Sequence, residues 1–149
     1  MINAVTNTSV SGVVFYPDAT FDYCNVTFAY SHTGRNDTVQ LNYWLPTPQN
    51  FQKRYLSTGG GGYAINEGTQ SLPGGIIYGA VAGRTDGGLG GFSASFDNVY
   101  LLANGTPNWE SLYMFGYQGI HELGLIGKQF TKNFYNMSSS EKLYSYYQG

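Results

Sequence analysis

Four glycines in a row, Gly59 to Gly62, end the short run Lys53-Arg54-Tyr55-Leu56-Ser57-Thr58 and lead into Tyr63. Ordering four adjacent glycines costs more backbone entropy than ordering any other tetrapeptide, so something close by must require bare main chain. Amides with no side chains in front of them can line a place where negative charge sits or develops. Three uses fit. Gly59-x-Gly61-x-x-Ala64 has the glycine spacing of a turn that cradles a dinucleotide pyrophosphate, with a strand-like run before it. That use needs a helix straight after the glycines and an acid about 20 positions on. Residues 65–75 instead carry Gly68, Pro73, Gly74 and Gly75 and no period of 3.6. The second use is an oxyanion hole, in which the amides hold the charge that develops on a carbonyl oxygen during acyl transfer. The third is an ordinary surface loop, and the order of the neighbouring elements separates these last two.

Other chemistry-bearing residues are few. Thr85 and Asp86 follow a predicted strand at its carboxyl end, where ligands of open α/β sheets bind, and form a candidate substrate-side loop. The plainer use of Asp86 is to hold its own turn by bonding the backbone two residues on. His32 falls at a hairpin end as an ordinary polar residue with no second metal ligand nearby. His121-Glu122 opens like half of a zinc-binding His-Glu-x-x-His, but position 125 is leucine and the metal use fails. His121 is expected to pack on its helix and bond a neighbouring loop. Cys24 is the single cysteine; it is either a disulfide candidate lacking its partner or a buried, inert thiol.

These groups need elements to hold them. From Phe21 to His32, Cys24, Val26, Phe28 and Tyr30 alternate with Asn25, Thr27 and Ala29, which predicts a half-buried strand. Val39, Leu41, Tyr43 and Leu45 alternate after the turn Thr33-Gly34-Arg35-Asn36-Asp37, so the two runs pair as an antiparallel hairpin. A third strand, Arg54 to Ser57, feeds the glycines. Residues 74–83 read as a fourth strand through Ile76, Ile77, Tyr78, Ala80, Val81 and Ala82, a nearly continuous apolar run suited to burial on both faces. Thr106-Pro107-Asn108-Trp109-Glu110 opens a helix, with a capping oxygen, an early proline and an acid in the first turn. Its stripe is Leu112, Tyr113, Ile120, Leu123 and Phe130. Gly116, Gly119, Gly124 and Gly127 interrupt it at about 1 kcal/mol each relative to alanine, which predicts close packing on the sheet or stabilisation by tertiary contacts. Lys142 to Tyr147 is a fifth strand, and Gly149 ends the sequence. Residues 1–20 are expected to be irregular.

With 149 residues the chain has the size of one domain, and 42% hydrophobic residues supply a core. Only 11% are charged and the net charge is −2, so no basic cluster exists to meet nucleic acid. No apolar run approaches the roughly 18 residues of a membrane span. Met1 to Asn7 has neither the basic nor the apolar region of a signal peptide. Asn-x-Ser/Thr sequons nevertheless begin at Asn7, Asn25, Asn36, Asn104 and Asn136. With the lone cysteine, they predict a secreted, extracellular glycoprotein read here without its natural ends.

The order strand, strand, strand, glycine loop, strand, helix, strand is that of the amino-terminal half of an α/β-hydrolase: an antiparallel hairpin leading into a mostly parallel sheet with a crossover helix. In detail the chain resembles the tannase and feruloyl esterase family of secreted carboxylic ester hydrolases. The likeness rests on Phe51-x-x-Arg54-Tyr-Leu-Ser-Thr-Gly-Gly-Gly-Gly-Tyr63, on Thr85-Asp86, on Asn108-Trp109-Glu110-Ser111-Leu112, on Phe115-Gly116-Tyr117 with His121-Glu122, and on Tyr144-Ser145-Tyr146-Tyr147-Gln148-Gly149. It runs from about Cys24 onward.

The resemblance implies a partial catalytic domain over residues 21–149, with Gly59 to Gly62 as oxyanion-hole loop and Gly149 as the first glycine of the nucleophile turn. It implies that the serine nucleophile, the triad Asp and His, a disulfide beside the serine and a lid with structural calcium all follow in the missing carboxy-terminal part. No catalytic residue, metal or cofactor is then expected within this chain, which by itself would be inactive. Phenolic esters, feruloyl or galloyl, from plant cell walls or tannins are the implied substrates, with no nucleic-acid or membrane partner. The alternative is a secreted glycan-binding module, a closed all-β domain with tyrosines in a row and no long helix after Pro107.

Overall fold

The computed structural model describes residues 1–92 and 100–149. Its elements are β1 (Ile2–Val10), β2 (Ala19–Tyr30), β3 (Val39–Pro46), β4 (Arg54–Thr58), α1 (Leu72–Ile77) and β5 (Ala80–Thr85). Then come α2 (Trp109–Tyr113), a π-helical turn (Met114–Gln118), α3 (Gly119–Phe134) and β6 (Tyr144–Gln148). The strands form one mixed sheet in the order β1-β2-β3-β5-β4-β6. β1 to β3 are antiparallel neighbours and β3 is antiparallel to β5, while β5, β4 and β6 are parallel. β2, β4, β5 and β6 therefore all end at the same side of the molecule.

Period-2 alternation puts the core on both faces of this sheet. Val26, Val39, Leu41, Tyr43, Leu45, Tyr55 and Val81 meet Leu123 of α3 on one face, with Phe28 and Phe130 packed beside them. Tyr23, Trp44 and Ala82 meet Leu72 and Ile76 of α1 on the other. The hairpin forms as expected, Tyr30 opposite Val39 and Cys24 opposite Leu45.

Several expectations need correction. Residues 1–20 are not irregular throughout, because β1 pairs along the outer edge of β2. β1 is largely exposed, so no apolar alternation marks it. The run 74–83 is not one strand: it divides into α1, with Pro73 in its first turn, and β5. Both halves are buried, which erases the periodicity that distinguishes helix from strand. Gly79 joins them at φ +70°, and a side chain there would meet the Asn50 carbonyl at 2.5 Å. The later helix begins at Trp109, capped by Asn108, whose Oδ1 accepts from Ser111 N at 3.4 Å. Pro107 lies before it, bridged to Leu101.

Among the helix glycines, a methyl group on Gly127 would overlap the Tyr55 ring, and one on Gly119 would lie 2.9 Å from Met114 O and 3.0 Å from Ile65. Gly124 has ordinary room and Gly116 faces open space, so close packing accounts for two of the four. The 16-residue α3 against one face overturns the all-β alternative. β6 is an edge strand among the described residues, with Tyr144 to Tyr147 exposed. No helix among them is long and apolar enough to cross a membrane.

Candidate active site

The tetraglycine lies against the carboxyl end of β6. Thr58 pairs with Gln148, and the Gly59 amide continues the parallel ladder by donating to the Gln148 carbonyl at 2.7 Å. Thr58, fully buried, ties the turn to the neighbouring strand by donating its hydroxyl to the Gly83 carbonyl at 3.0 Å. Asn66, also fully buried, holds the far side of the loop: its Nδ2 donates to the Thr85 carbonyl at 2.9 Å and its Oδ1 accepts from Gly68 N at 2.8 Å. The loop is thus pinned at both ends to parallel strands.

Each glycine has its own reason to be bare. A methyl group on Gly59 would overlap the Tyr147 hydroxyl, and one on Gly60 would lie 2.5 Å from the Ala64 carbonyl oxygen and 2.9 Å from Asn66 N. Gly62 sits at φ +62°, where a Cβ is strained. These three are dictated by the chain itself. Gly61, exposed, would meet only the mobile end of Glu67 at 3.2 Å. The amides of Gly60, Gly61 and Gly62 donate to no acceptor among the described residues, whereas the Gly61 carbonyl accepts from Ala64 N at 3.1 Å. Three adjacent N–H groups at the carboxyl end of parallel strands can hold one oxygen carrying developing charge.

Thr85 and Asp86 are fully buried and spend their side chains on structure. Asp86 Oδ1 accepts from Gln40 N at 2.7 Å and from Gly88 N at 2.8 Å. Thr85 Oγ1 donates to the Gln40 carbonyl at 3.2 Å and accepts from Gly87 N at 3.0 Å. The pair shapes the loop after β5 rather than reaching from it.

His32 is not the ordinary polar residue expected. Its Nδ1 lies 2.6 Å from Asp37 Oδ2 and its Nε2 2.9 Å from Glu122 Oε1. Glu122 also accepts from the Tyr30 hydroxyl and from Gln118 Nε2. The hydrogen bonds to Glu122 and then Asp37 raise the His32 pKa. Burial pulls both carboxyls up, but the bonds they accept outweigh it and hold Asp37 and Glu122 below their ordinary ranges. Both imidazole nitrogens are occupied by carboxylate oxygens, so the group is an ion-paired clasp between the β2–β3 loop and α3. Among the described residues no three His, Cys, Asp or Glu side chains are grouped to hold a metal. His121, expected to pack and bond a loop, is exposed instead, its ring stacked on Tyr117 at the edge of a cavity shared with Ser57 of β4 and Tyr146 and Tyr147 of β6.

Cys24 is half-buried and free, packed against the core of the α3 face. Asn7, Asn36, Asn104 and Asn136 are exposed. Asn25 sits mid-strand in β2, its Oδ1 accepting from Asn42 Nδ2 at 2.7 Å. Sequence alone missed Tyr147 and Asn66, which fix the loop from outside, and Tyr63, whose ring stands exposed beside it. Only the tyrosine next to four glycines left a local trace.

The family model for tannase and feruloyl esterase matches residues 24–149. A tannase of Aspergillus oryzae is 48% identical over 130 residues, 87% of this chain and 22% of that protein. A probable feruloyl esterase of Arthroderma benhamiae is 33% identical over 89% of this chain and 24% of its own length. The structure of a tannin acyl hydrolase from Aspergillus niger superposes with a TM-score of 0.96 at 63% identity, covering all of this chain and 27% of that one. The chain thus spans about a quarter of the length of these relatives. On the match of the family model over residues 24–149, it belongs to the tannase and feruloyl esterase family.

Proposed function

We propose that this chain supplies the oxyanion side of a secreted serine esterase that hydrolyses phenolic esters, galloyl or feruloyl. The observation that carries it is the set of Gly60, Gly61 and Gly62 amides without acceptors, held by the Gly59–Gln148 bond at the carboxyl end of β6. The sheet order and the crossover through α3 support the amino-terminal half of an α/β-hydrolase. In that fold the strand corresponding to β6 feeds a sharp turn bearing the nucleophilic serine, and Gly149 opens that turn. The serine attacks the ester carbonyl as a histidine takes its proton, and the carbonyl oxygen, now negative, moves onto the glycine amides. Collapse of the tetrahedral adduct expels the alcohol, which takes the proton from the histidine, and water then releases the phenolic acid by the same steps reversed in role. Serine, histidine and aspartate come from the rest of the protein, as do the disulfide partners and the calcium-bearing lid, so residues 1–149 alone turn over no ester. Exposed sequons at Asn7, Asn36, Asn104 and Asn136 support an extracellular setting.

A chimera tests this. Residues 1–149 replace the matching segment of the Aspergillus oryzae tannase, and hydrolysis of methyl gallate and methyl ferulate is followed. The expected result is turnover blocked by a serine-directed sulfonyl fluoride, with Gly60→Val lowering kcat roughly 10²–10³-fold. A correctly folded chimera without turnover, or turnover indifferent to Gly60→Val, would falsify the assignment.

A further inference from the structure

Tyr63 follows the tetraglycine directly, and its ring is 76% exposed. Exposed rings of this size usually swing freely, but this one is held. The Tyr100 hydroxyl donates to the Tyr63 carbonyl at 3.2 Å, fixing the backbone from which the ring projects. The ring itself lies against Tyr100 and Phe115, with centroids 6.5 Å and 6.3 Å away, and those two meet each other edge-on at 5.3 Å. Phe115 comes from the π-helical turn, a single-turn irregularity that is frequent at functional sites. Phe115 and Tyr100 are in turn seated on the small core of Ile65 and Leu89. Two rings from distant stretches thus brace one exposed aromatic face a single residue beyond the free amides.

Resting on the ester-hydrolase reading, we propose that the Tyr63 ring, backed by Tyr100 and Phe115, is the stacking surface for an aromatic acyl group and so sets a preference for aromatic over aliphatic acids. An ester carbonyl placed on the Gly60–Gly62 amides carries its acyl substituent on the bonded carbon, and a planar acyl ring there needs an aromatic face close to those amides. Tyr63 offers one, and its rigidity lowers the entropy lost on stacking. Its hydroxyl plays no part in the contact, so the ring alone is required.

The test uses the same chimera with three esters: methyl gallate, whose ring is on the acyl side, phenyl butyrate, whose ring is on the alcohol side, and methyl butyrate, which has none. Tyr63→Ala is expected to raise KM for methyl gallate roughly three- to tenfold, the range of one offset aromatic contact, with kcat and both butyrates within twofold of the parent. Tyr63→Phe should restore the parent KM. A KM rise shared by all three esters, a rise confined to phenyl butyrate, or no rise at all would overturn the stacking role. If the unsubstituted chimera hydrolyses none of the three, the ester-hydrolase reading falls and the stacking role falls with it; hydrolysis with the wrong KM pattern removes the stacking role only.

Discussion

The two ends of the polar architecture differ in kind. Where the β2–β3 loop meets α3, the imidazole and the two carboxylates find partners inside the chain: His32 bridges Asp37 and Glu122, and Tyr30 and Gln118 complete the shell of Glu122. Around the glycine loop, donors and rings are left over. Three adjacent amides lack acceptors among the described residues, and Tyr63 and Tyr147 stand in solvent. Exposed rings also occur elsewhere, at Phe15, Trp109, Tyr113 and Tyr117, so what sets the glycine loop apart is the run of three amides without acceptors. The contrast sets a closed end that serves the fold against an open end that, on the function proposed above, serves an ester substrate. Substitutions at the closed side should therefore cost stability, and at the open side only a position free of steric and backbone constraint, Gly61, should cost little.

The largest effect is expected in the packing beneath the loop. Gly127 of α3 lies so close to Tyr55 that a side chain would displace the ring. That ring's hydroxyl, with the Tyr43 hydroxyl, donates to the Leu123 carbonyl at 2.8 Å and 3.0 Å. Gly127→Val must push α3 off β4 and loosen both bonds, at a cost of about 3 kcal/mol. Urea unfolding of the 149-residue chain measures it. Gly116→Ala, where nothing lies within 4 Å, is the matched control and should be neutral or slightly stabilising. Equal losses in the two variants would remove the distinction between packed and open glycines.

Much of this was legible in the sequence, and the failures are instructive. β2 and β3 could be read because apolar side chains of the α3 face recur at every second position, Val26 and Phe28 in one strand and Val39, Leu41, Tyr43 and Leu45 in the other, with Asn25, Thr27, Gln40 and Asn42 between them, although β3 is buried on both faces. The glycine loop could be read because four bare residues are costly and rare. α1 was hidden inside an apolar run because both it and β5 are largely buried, so no apolar period marks where one gives way to the other at Gly79. β1 was hidden for the opposite reason, since most of its side chains face water and only Val5 packs on the core. The His32 clasp could not be read at all: Glu122 lies 90 residues away and meets His32 only once α3 is laid across the sheet.

That clasp gives the next largest effect, and its sign follows from the charges. His32 has its pKa raised above the ordinary 6.5, so its contribution is fully present below that value and is lost as pH rises through the folded one. Asp37 and Glu122 lie below their ordinary 3.8 and 4.5, so their contributions are present above those values and fade as pH falls through the folded ones. The clasp is therefore strongest between roughly pH 4.5 and 6.5. His32→Ala should cost about 1–2 kcal/mol at pH 5.5, a range discounted for partial exposure, and less at pH 8.5. Thermal unfolding at the two pH values reads the difference; a cost that is the same at both would mean that His32 acts by packing and not by charge.

The smallest expected effect on stability is the sharpest probe of the open end. Gly59 and Gly60 are bare because their own chain leaves no room, and Gly62 because its backbone is left-handed. Gly61 is under neither constraint: its φ is not in the left-handed region and only the flexible end of Glu67 stands near. Gly61→Ala should therefore change unfolding free energy by less than about 0.5 kcal/mol, and could raise it by restricting the unfolded chain. If the loop served the fold alone, nothing else would change. A methyl group on Gly61 stands instead beside the amides proposed to hold the substrate oxygen, so esterase activity of the chimera should fall at least tenfold while its unfolding curve stays in place. Loss of stability without loss of turnover would reverse the assignment of the loop, making it a structural turn whose fourth glycine answers to the fold like the other three.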